Sequence, residues 1–115
     1  MSDNIYNTLQ IFGADSETVF ELIKGDSEII DYNNIEVPVN SDYMNCSMAW
    51  GVPFNAWDTK QHSNYISFYS PSVTPILVIT KLSKMFPEET FYVEYESSDN
   101  DNYNGNYRLK CGKEI

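Results

Sequence analysis

At 115 residues the chain has the length of one ordinary domain, long enough to bury a single core without disulfides or a structural metal. Its apolar content is normal, its aromatic content is high with nine tyrosines, and it carries a net charge of −10 with a sequence pI near 4.2. This composition favours a packed fold over disorder, no run approaches the length of a membrane-spanning helix, and the acidity counts against direct binding to nucleic acid or to an anionic membrane.

The start, Met1-Ser2-Asp3-Asn4, lacks the basic-then-apolar pattern of a secretory signal, so a cytoplasmic location is expected. Ile5, Leu9 and Ile11 then fall on alternate positions around Thr8 and Gln10, which predicts a half-buried strand from about Tyr6 to Phe12. Gly13 breaks it. Asp15 or Ser16 is placed to cap a helix whose apolar face is Val19, Leu22 and Ile23, with Glu17 and Glu21 toward the positive end of the helix dipole. Gly25 is the expected left-handed stop.

From Asp26 to Asn45 the pattern weakens. Alternation of Ile35, Val37 and Val39 predicts a strand, but Pro38 lacks a ladder donor and restricts it to an edge or an extended segment; Asn33-Asn34 marks a turn. Next comes Ala49-Trp50-Gly51-Val52-Pro53-Phe54-Asn55-Ala56-Trp57-Asp58, which holds both tryptophans. Gly51 and Pro53 interrupt regular structure here. Trp50, Phe54 and Trp57, with Asp58, read either as a lid folded over the core or as a binding pocket.

The second half is patterned more clearly. Tyr65 to Tyr69 reads as a strand with Ile66 and Phe68 on one face, stopped by Pro71. Thr74-Pro75 is a helix start, a capping hydroxyl before a proline at the first helical position, and Val78, Ile79, Leu82 and Phe86 continue at helical spacing until Pro87. Phe91, Val93 and Tyr95 alternate with Tyr92, Glu94 and Glu96 in a strand with one wet face. A polar loop from Ser97 to Asn102 leads to a last strand, about Asn104 to Cys111. Pairing of these two strands is expected to bring Glu94 or Glu96 near Arg108 or Lys110.

Chemistry-bearing residues are few. Cys46 and Cys111 are expected as reduced thiols, and with one histidine, His62, no zinc site of nitrogen and sulfur ligands can be assembled. There is no calcium-loop spacing, glycine-rich phosphate loop, GxSxG or HExxH. His62 sits in a polar stretch and Glu88-Glu89 in an expected solvated turn. No cofactor, metal or catalytic residue is therefore assigned.

Charge is distributed unevenly along the chain. Up to Asp58, ten acids face the single Lys24, giving −9, while seven acids and six bases follow. Asp15, Glu17, Glu21, Asp26, Glu28, Asp31 and Glu36 are the expected partner-binding acids, suited to a basic protein surface; the plain alternative is that they keep the protein soluble.

The predicted order of strand, helix, weak strand, aromatic segment, strand, helix, strand, strand is an α+β arrangement. It suggests a single ferredoxin-like domain over residues 1–115, an antiparallel sheet of four to five strands with two helices on one face and an aromatic-rich insertion. The run Trp50 to Asp58, then Ile66-Ser67-Phe68-Tyr69-Ser70, then Pro75 to Pro87 with its Leu82-Ser83-Lys84-Met85-Phe86-Pro87 ending, then Phe91-Tyr92-Val93-Glu94-Tyr95-Glu96 and Gly105, resembles the Api-type, YubB-like ferredoxin-like proteins of phages and plasmids. The resemblance spans roughly the last two thirds of the chain. Phe54 stands where that family more often has tryptophan, and Tyr69-Ser70-Pro71-Ser72 replaces its usual acid and tryptophan. It implies a fold and a mobile-element origin, and carries over no catalytic residue.

Two function classes follow from these readings. One is a phage-encoded acidic interaction protein that inhibits a host nucleic-acid-targeting defence, such as a CRISPR effector, by binding its basic surface. The other is a small-molecule or nucleotide-binding domain with the aromatic segment as pocket. A structural homodimer is a third arrangement.

Overall fold

The computed structural model describes residues 4–99 and 102–115. Met1, Ser2 and Asp3, and the Asn100-Asp101 pair of the polar loop, lie outside the described residues. The elements in chain order are β1 (Asn4–Phe12), α1 (Ser16–Ile23), a 3-10 turn (Tyr32–Asn34), α2 (Tyr43–Trp50), β2 (Trp57–Gln61), β3 (Ile66–Pro71), α3 (Ile76–Met85), β4 (Thr90–Ser97), β5 (Asn104–Lys110) and β6 (Lys113–Glu114). The α+β class is as expected. Among the described residues the sheet has six strands rather than four to five, and there are three helices rather than two.

The strands run in the order β2-β3-β1-β4-β5-β6, each neighbouring pair antiparallel. β1 is central because it can pair on both edges: Leu9 lies opposite Ile66 of β3 and Val93 of β4. Its period-2 pattern sends Ile5, Leu9 and Ile11 to one face, where Phe68, Phe91, Val93, Tyr107 and Leu109 join them. Val19 and Ile23 of α1, Cys46, Ala49 and Trp50 of α2, and Val78, Ile79 and Leu82 of α3 close this core. Asn7, also buried on that face, donates from its side-chain amide to Ser70 Oγ at 2.9 Å. The opposite face carries partly exposed Tyr6, Thr8, Gln10, Tyr69 and Tyr92 beside exposed Glu94, Glu96, Asn106 and Arg108.

Several local expectations change. The weak strand after Asp26 does not form: Val37 and Val39 are 72% and 89% exposed, so their alternation faces no sheet. Ile30 and Tyr32 are buried instead, and Asn33-Asn34 does turn, within the 3-10 turn. Residues 43–50 form a helix that the sequence reading did not assign. Asp42 caps it by accepting the Asn45 N–H at 2.8 Å, and Gly51, at φ 84°, ends it in the left-handed conformation. Trp50 is thus the last residue of a helix and Trp57 the first of a strand.

The helix ends differ as well. Asp15 makes no side-chain capping bond at α1; its backbone N–H donates to the carboxylate of Glu89, which is buried rather than in a solvated turn. Gly13, at φ 148°, is required there because a Cβ would fall inside the Glu89 carboxylate. α1 leaves through an extended Lys24, so Gly25 is not a left-handed stop, and Leu22 is partly exposed rather than in the core. Before α3, Thr74 Oγ1 bonds the Tyr107 hydroxyl at 2.9 Å instead of capping the helix. The register places Tyr92, not a glutamate, opposite Arg108, whose guanidinium lies 4.8 Å from the Tyr92 ring centre.

Candidate interaction surfaces

The seven acids singled out above do not form one surface. Glu17 and Glu21 stand exposed on α1 because the helix turns Val19 and Ile23 inward. Between them, Phe20 and Ser16 of α1, Ile11 of β1, Gln61 of β2, and Ser63 and Asn64 of the β2–β3 turn lies a groove of about 490 Å³. Its lining combines apolar Ile11 and Phe20 with acidic Glu17 and Glu21. Glu21 makes an exposed pair with Lys24 at 3.4 Å, a contact worth only tenths of a kcal/mol. Asp15, Glu17 and Asp26 are exposed and form no ion pair among the described residues.

The other three acids tie the chain together. Glu28 Oε2 accepts from the Thr59 hydroxyl at 2.7 Å, and that same oxygen of Thr59 accepts the Ile29 N–H at 2.8 Å, so the segment after α1 is fixed to β2. Asp31 Oδ1 accepts from the Asn33 N–H at 3.0 Å and from Asn55 Nδ2 at 2.8 Å, while Asn55 Oδ1 accepts the Tyr32 N–H at 3.0 Å. Glu36 pairs with Lys81 of α3 at 3.0 Å, and Lys81 also donates to the Ala49 carbonyl at 2.7 Å. Their carboxylates are therefore already engaged within the molecule.

The aromatic segment also divides. Trp50 is buried, meets Tyr32 edge-on at 5.4 Å and donates from its indole N–H to the Glu36 carbonyl at 2.7 Å. Phe54 is 57% exposed and contacts exposed Tyr43 at 6.3 Å. Trp57 lies on the sheet, stacked with Tyr69 at 6.2 Å. Asp58 takes φ 49° where the β2–β3 register shifts, 4.0 Å from Lys60. These four residues are thus distributed over the end of α2, the following loop and β2. Around Phe54, exposed Tyr43, Met44 and Met48 of α2 were not anticipated from sequence, because the helix itself was not.

Burial raises the Tyr32 hydroxyl well above the ordinary tyrosine value, with a smaller contribution from Tyr107, and Tyr107 is raised by burial against a partial offset from its Thr74 bond. Asp42 is held below the usual carboxylate range, first by the Asn45 N–H and then by the Asn45 side chain. His62 is partly buried, not solvated: Nε2 lies 2.9 Å from Ser67 Oγ and the ring stacks on Tyr65 at 4.3 Å. Cys46 is buried, whereas Cys111 is exposed in the β5–β6 turn; both are free thiols. Among the described residues no three His, Cys, Asp or Glu side chains could hold a metal ion, and no helix is long and apolar enough to cross a membrane. A scan against protein-family models matches no family, and searches of curated proteins and of solved structures return no match.

Proposed function

We propose that the protein is an acidic interaction module that presents the α1 groove to a basic surface of a host protein, and that this partner is a nucleic-acid-targeting defence effector, such as a CRISPR effector, which it inhibits. The observation that carries the reading is the groove itself: Glu17 and Glu21 flank Phe20, next to Asp15, which forms no ion pair among the described residues. An apolar anchor within a charged rim suits protein recognition, because burial supplies affinity while charge steers the encounter. Origin in a phage or plasmid rests on the sequence resemblance described above. The ferredoxin-like plan is supported by the β2-β3-β1-β4 order, with one helix between β3 and β4 and β5 and β6 added beyond it.

The test is affinity capture from a host lysate with the wild type and with a Glu17→Lys/Glu21→Lys variant, each at low and high salt. A basic nucleic-acid-handling protein should be retained by the wild type at low salt and lost with the variant or with salt. Retention through both changes would sink the reading.

A homodimer is a second reading, supported by exposed Tyr43, Met44, Met48 and Phe54. Sheet-edge pairing is a poor route to it, since β6 has two residues and β2 is broken by a register shift. Sedimentation of the wild type against Met44→Glu/Met48→Glu decides it: a dimer dissociated by the variant supports the α2 interface, and a monomeric wild type removes it.

A further inference from the structure

The sheet face turned away from the helices holds a second constellation, independent of the α1 groove. Strand register lines up Trp57, Tyr69, Tyr6, Glu96 and Asn104 in one row across β2, β3, β1, β4 and β5. The rings of Trp57 and Tyr69 stack with an 18° interplanar angle, and Tyr69 meets Tyr6 at 5.4 Å. In the next row Thr8, Glu94 and Asn106 lie side by side. Tyr6, Glu96 and Asn104 of the first row and Thr8, Glu94 and Asn106 of the second line a groove of about 380 Å³, and a neighbouring hollow of about 360 Å³ is lined by Tyr6, Tyr69 and Glu96.

Glu94 and Glu96 point to the same side of β4, with their Cα atoms about 7 Å apart. Both are exposed, and neither forms an ion pair among the described residues. Tyrosine faces attract cations, and carboxylates beside them add a second attraction of the same sign. The same sheet face satisfies this preference once internally, where Arg108 lies over Tyr92. At Tyr6 and Tyr69 the rings and the acids are present without a cation of their own among the described residues.

The charge selects the occupant. Two carboxylates on the open face repel a phosphate backbone, so the aromatic row is not suited to stacking nucleic-acid bases. A guanidinium fits better than an ammonium: it is planar, lies flat on an aromatic face and offers paired N–H donors to a carboxylate, whereas an ammonium is a compact, strongly hydrated point charge.

We propose that the face formed by Tyr6, Tyr69, Glu94 and Glu96 is a docking groove for an arginine side chain carried on an extended segment of a basic partner protein. The guanidinium lies over Tyr6 and bonds Glu96, and Glu94 holds a neighbouring basic group of the same segment. The inference shares with the functional reading only the basic character of the partner, and uses residues that the α1 groove does not contain.

Isothermal titration of the full chain with a Gly-Arg repeat peptide tests it, alongside a Gly-Lys peptide of equal charge and a single-stranded oligothymidylate. Binding of the arginine peptide should weaken about tenfold in Glu94→Gln/Glu96→Gln, an isosteric change at exposed positions whose fold circular dichroism checks. The lysine peptide should bind more weakly than the arginine peptide, and the oligonucleotide should not bind. Glu17→Lys/Glu21→Lys should leave the arginine-peptide affinity within about twofold, because exposed charges beyond a Debye length are screened. Equal affinity in wild type and Glu94→Gln/Glu96→Gln, equal affinity for the two peptides, or preferential binding of oligothymidylate would each overturn the proposal. Loss of binding in the α1 variant alone would overturn it while supporting the α1 groove.

Discussion

The two tryptophans make a sharp test, because they are seven residues apart and occupy opposite faces of the structure's logic. Trp50 packs in the core against Tyr32 and its indole N–H reaches the Glu36 carbonyl, whereas Trp57 is partly exposed on the sheet and rests on Tyr69. Trp50→Ala removes a buried ring and its bond, a loss of about 4 kcal/mol. At about 0.05–0.15 kcal/mol per residue, a chain of this length has roughly 6–17 kcal/mol in total, so the variant should keep roughly 2–13 kcal/mol and fold with reduced stability. Its melting midpoint should fall by about 15 °C, taking about 4 °C per kcal/mol for a domain of this size. Trp57→Ala removes a cross-strand aromatic pair on a wet face, about 1 kcal/mol. Trp50→Phe keeps the ring contact with Tyr32 and loses chiefly the hydrogen bond, also about 1 kcal/mol. Urea unfolding followed by far-UV circular dichroism avoids the change in fluorophore that would confuse an emission readout. Equal losses in the two alanine variants would refute the assignment of Trp50 to the core and Trp57 to the surface, and would restore a single aromatic lid.

Four further outcomes are expected. The Tyr32 hydroxyl is buried without a hydrogen-bond partner among the described residues, so Tyr32→Phe should leave stability at pH 7 unchanged or raise it by about 1 kcal/mol, measured by urea unfolding. Burial raises Tyr32 and Tyr107 above the unfolded value of 10.0, so their stabilisation is complete below that pH and lost as pH climbs toward the folded values, at about 1.4 kcal/mol per pH unit for each tyrosine. A pH series from 8 to 12 should therefore show alkaline unfolding that is less steep in Tyr32→Phe. Glu89→Ala should cost about 2 kcal/mol because it strips the acceptor from the first turn of α1, whereas Asp15→Ala, whose side chain makes no capping bond, should cost almost nothing in the same denaturation assay. Asp42 is depressed in the folded state, so its contribution to α2 is present above the ordinary carboxylate range and lost as pH falls through the folded value; Asp42→Ala should flatten acid unfolding there, followed by circular dichroism.

Most of the sheet was legible because β1, β4 and β5 bury alternate residues, β3 carries Ile66 and Phe68 between turn signals although it is buried on both faces, and α3 repeats Val78, Ile79 and Leu82 at helical spacing. α2 was hidden for a physical reason. It buries Cys46, Ala49 and Trp50 and also exposes Tyr43, Met44 and Met48, so its two faces barely differ in polarity. The cap Asp42, three residues before Asn45, was the available signal. Glu88 and Glu89 look alike in sequence, yet Glu89 is the one that accepts the Asp15 N–H just before α1, a contact made across 74 residues. Likewise, alternation marked Tyr6, Glu94 and Glu96 as outward-facing, but only the strand register puts Tyr6 beside Tyr69 and Glu96 in one row.

The charge asymmetry between the two halves of the sequence is therefore not an asymmetry between two sides of the protein. Glu28, Asp31 and Glu36 belong to the acidic half but are engaged by Thr59, by Asn33 and Asn55, and by Lys81 respectively, so they are poorly placed to meet a partner. Glu94 and Glu96 belong to the balanced half but stand exposed without ion pairs among the described residues. Carboxylates without an ion pair among the described residues are better placed to meet a basic surface, and these include Asp15 and Glu17 at α1 and Glu94 and Glu96 on the open sheet face. Both sites add an aromatic ring to the acids, Phe20 in one and Tyr6 with Tyr69 in the other. A partner using both must be basic over two separated patches, and single-site charge reversal should then weaken binding without abolishing it. One that uses only α1 should be indifferent to Glu94→Gln/Glu96→Gln, so the two sets of variants, combined in a double-mutant cycle, measure how far the faces act together.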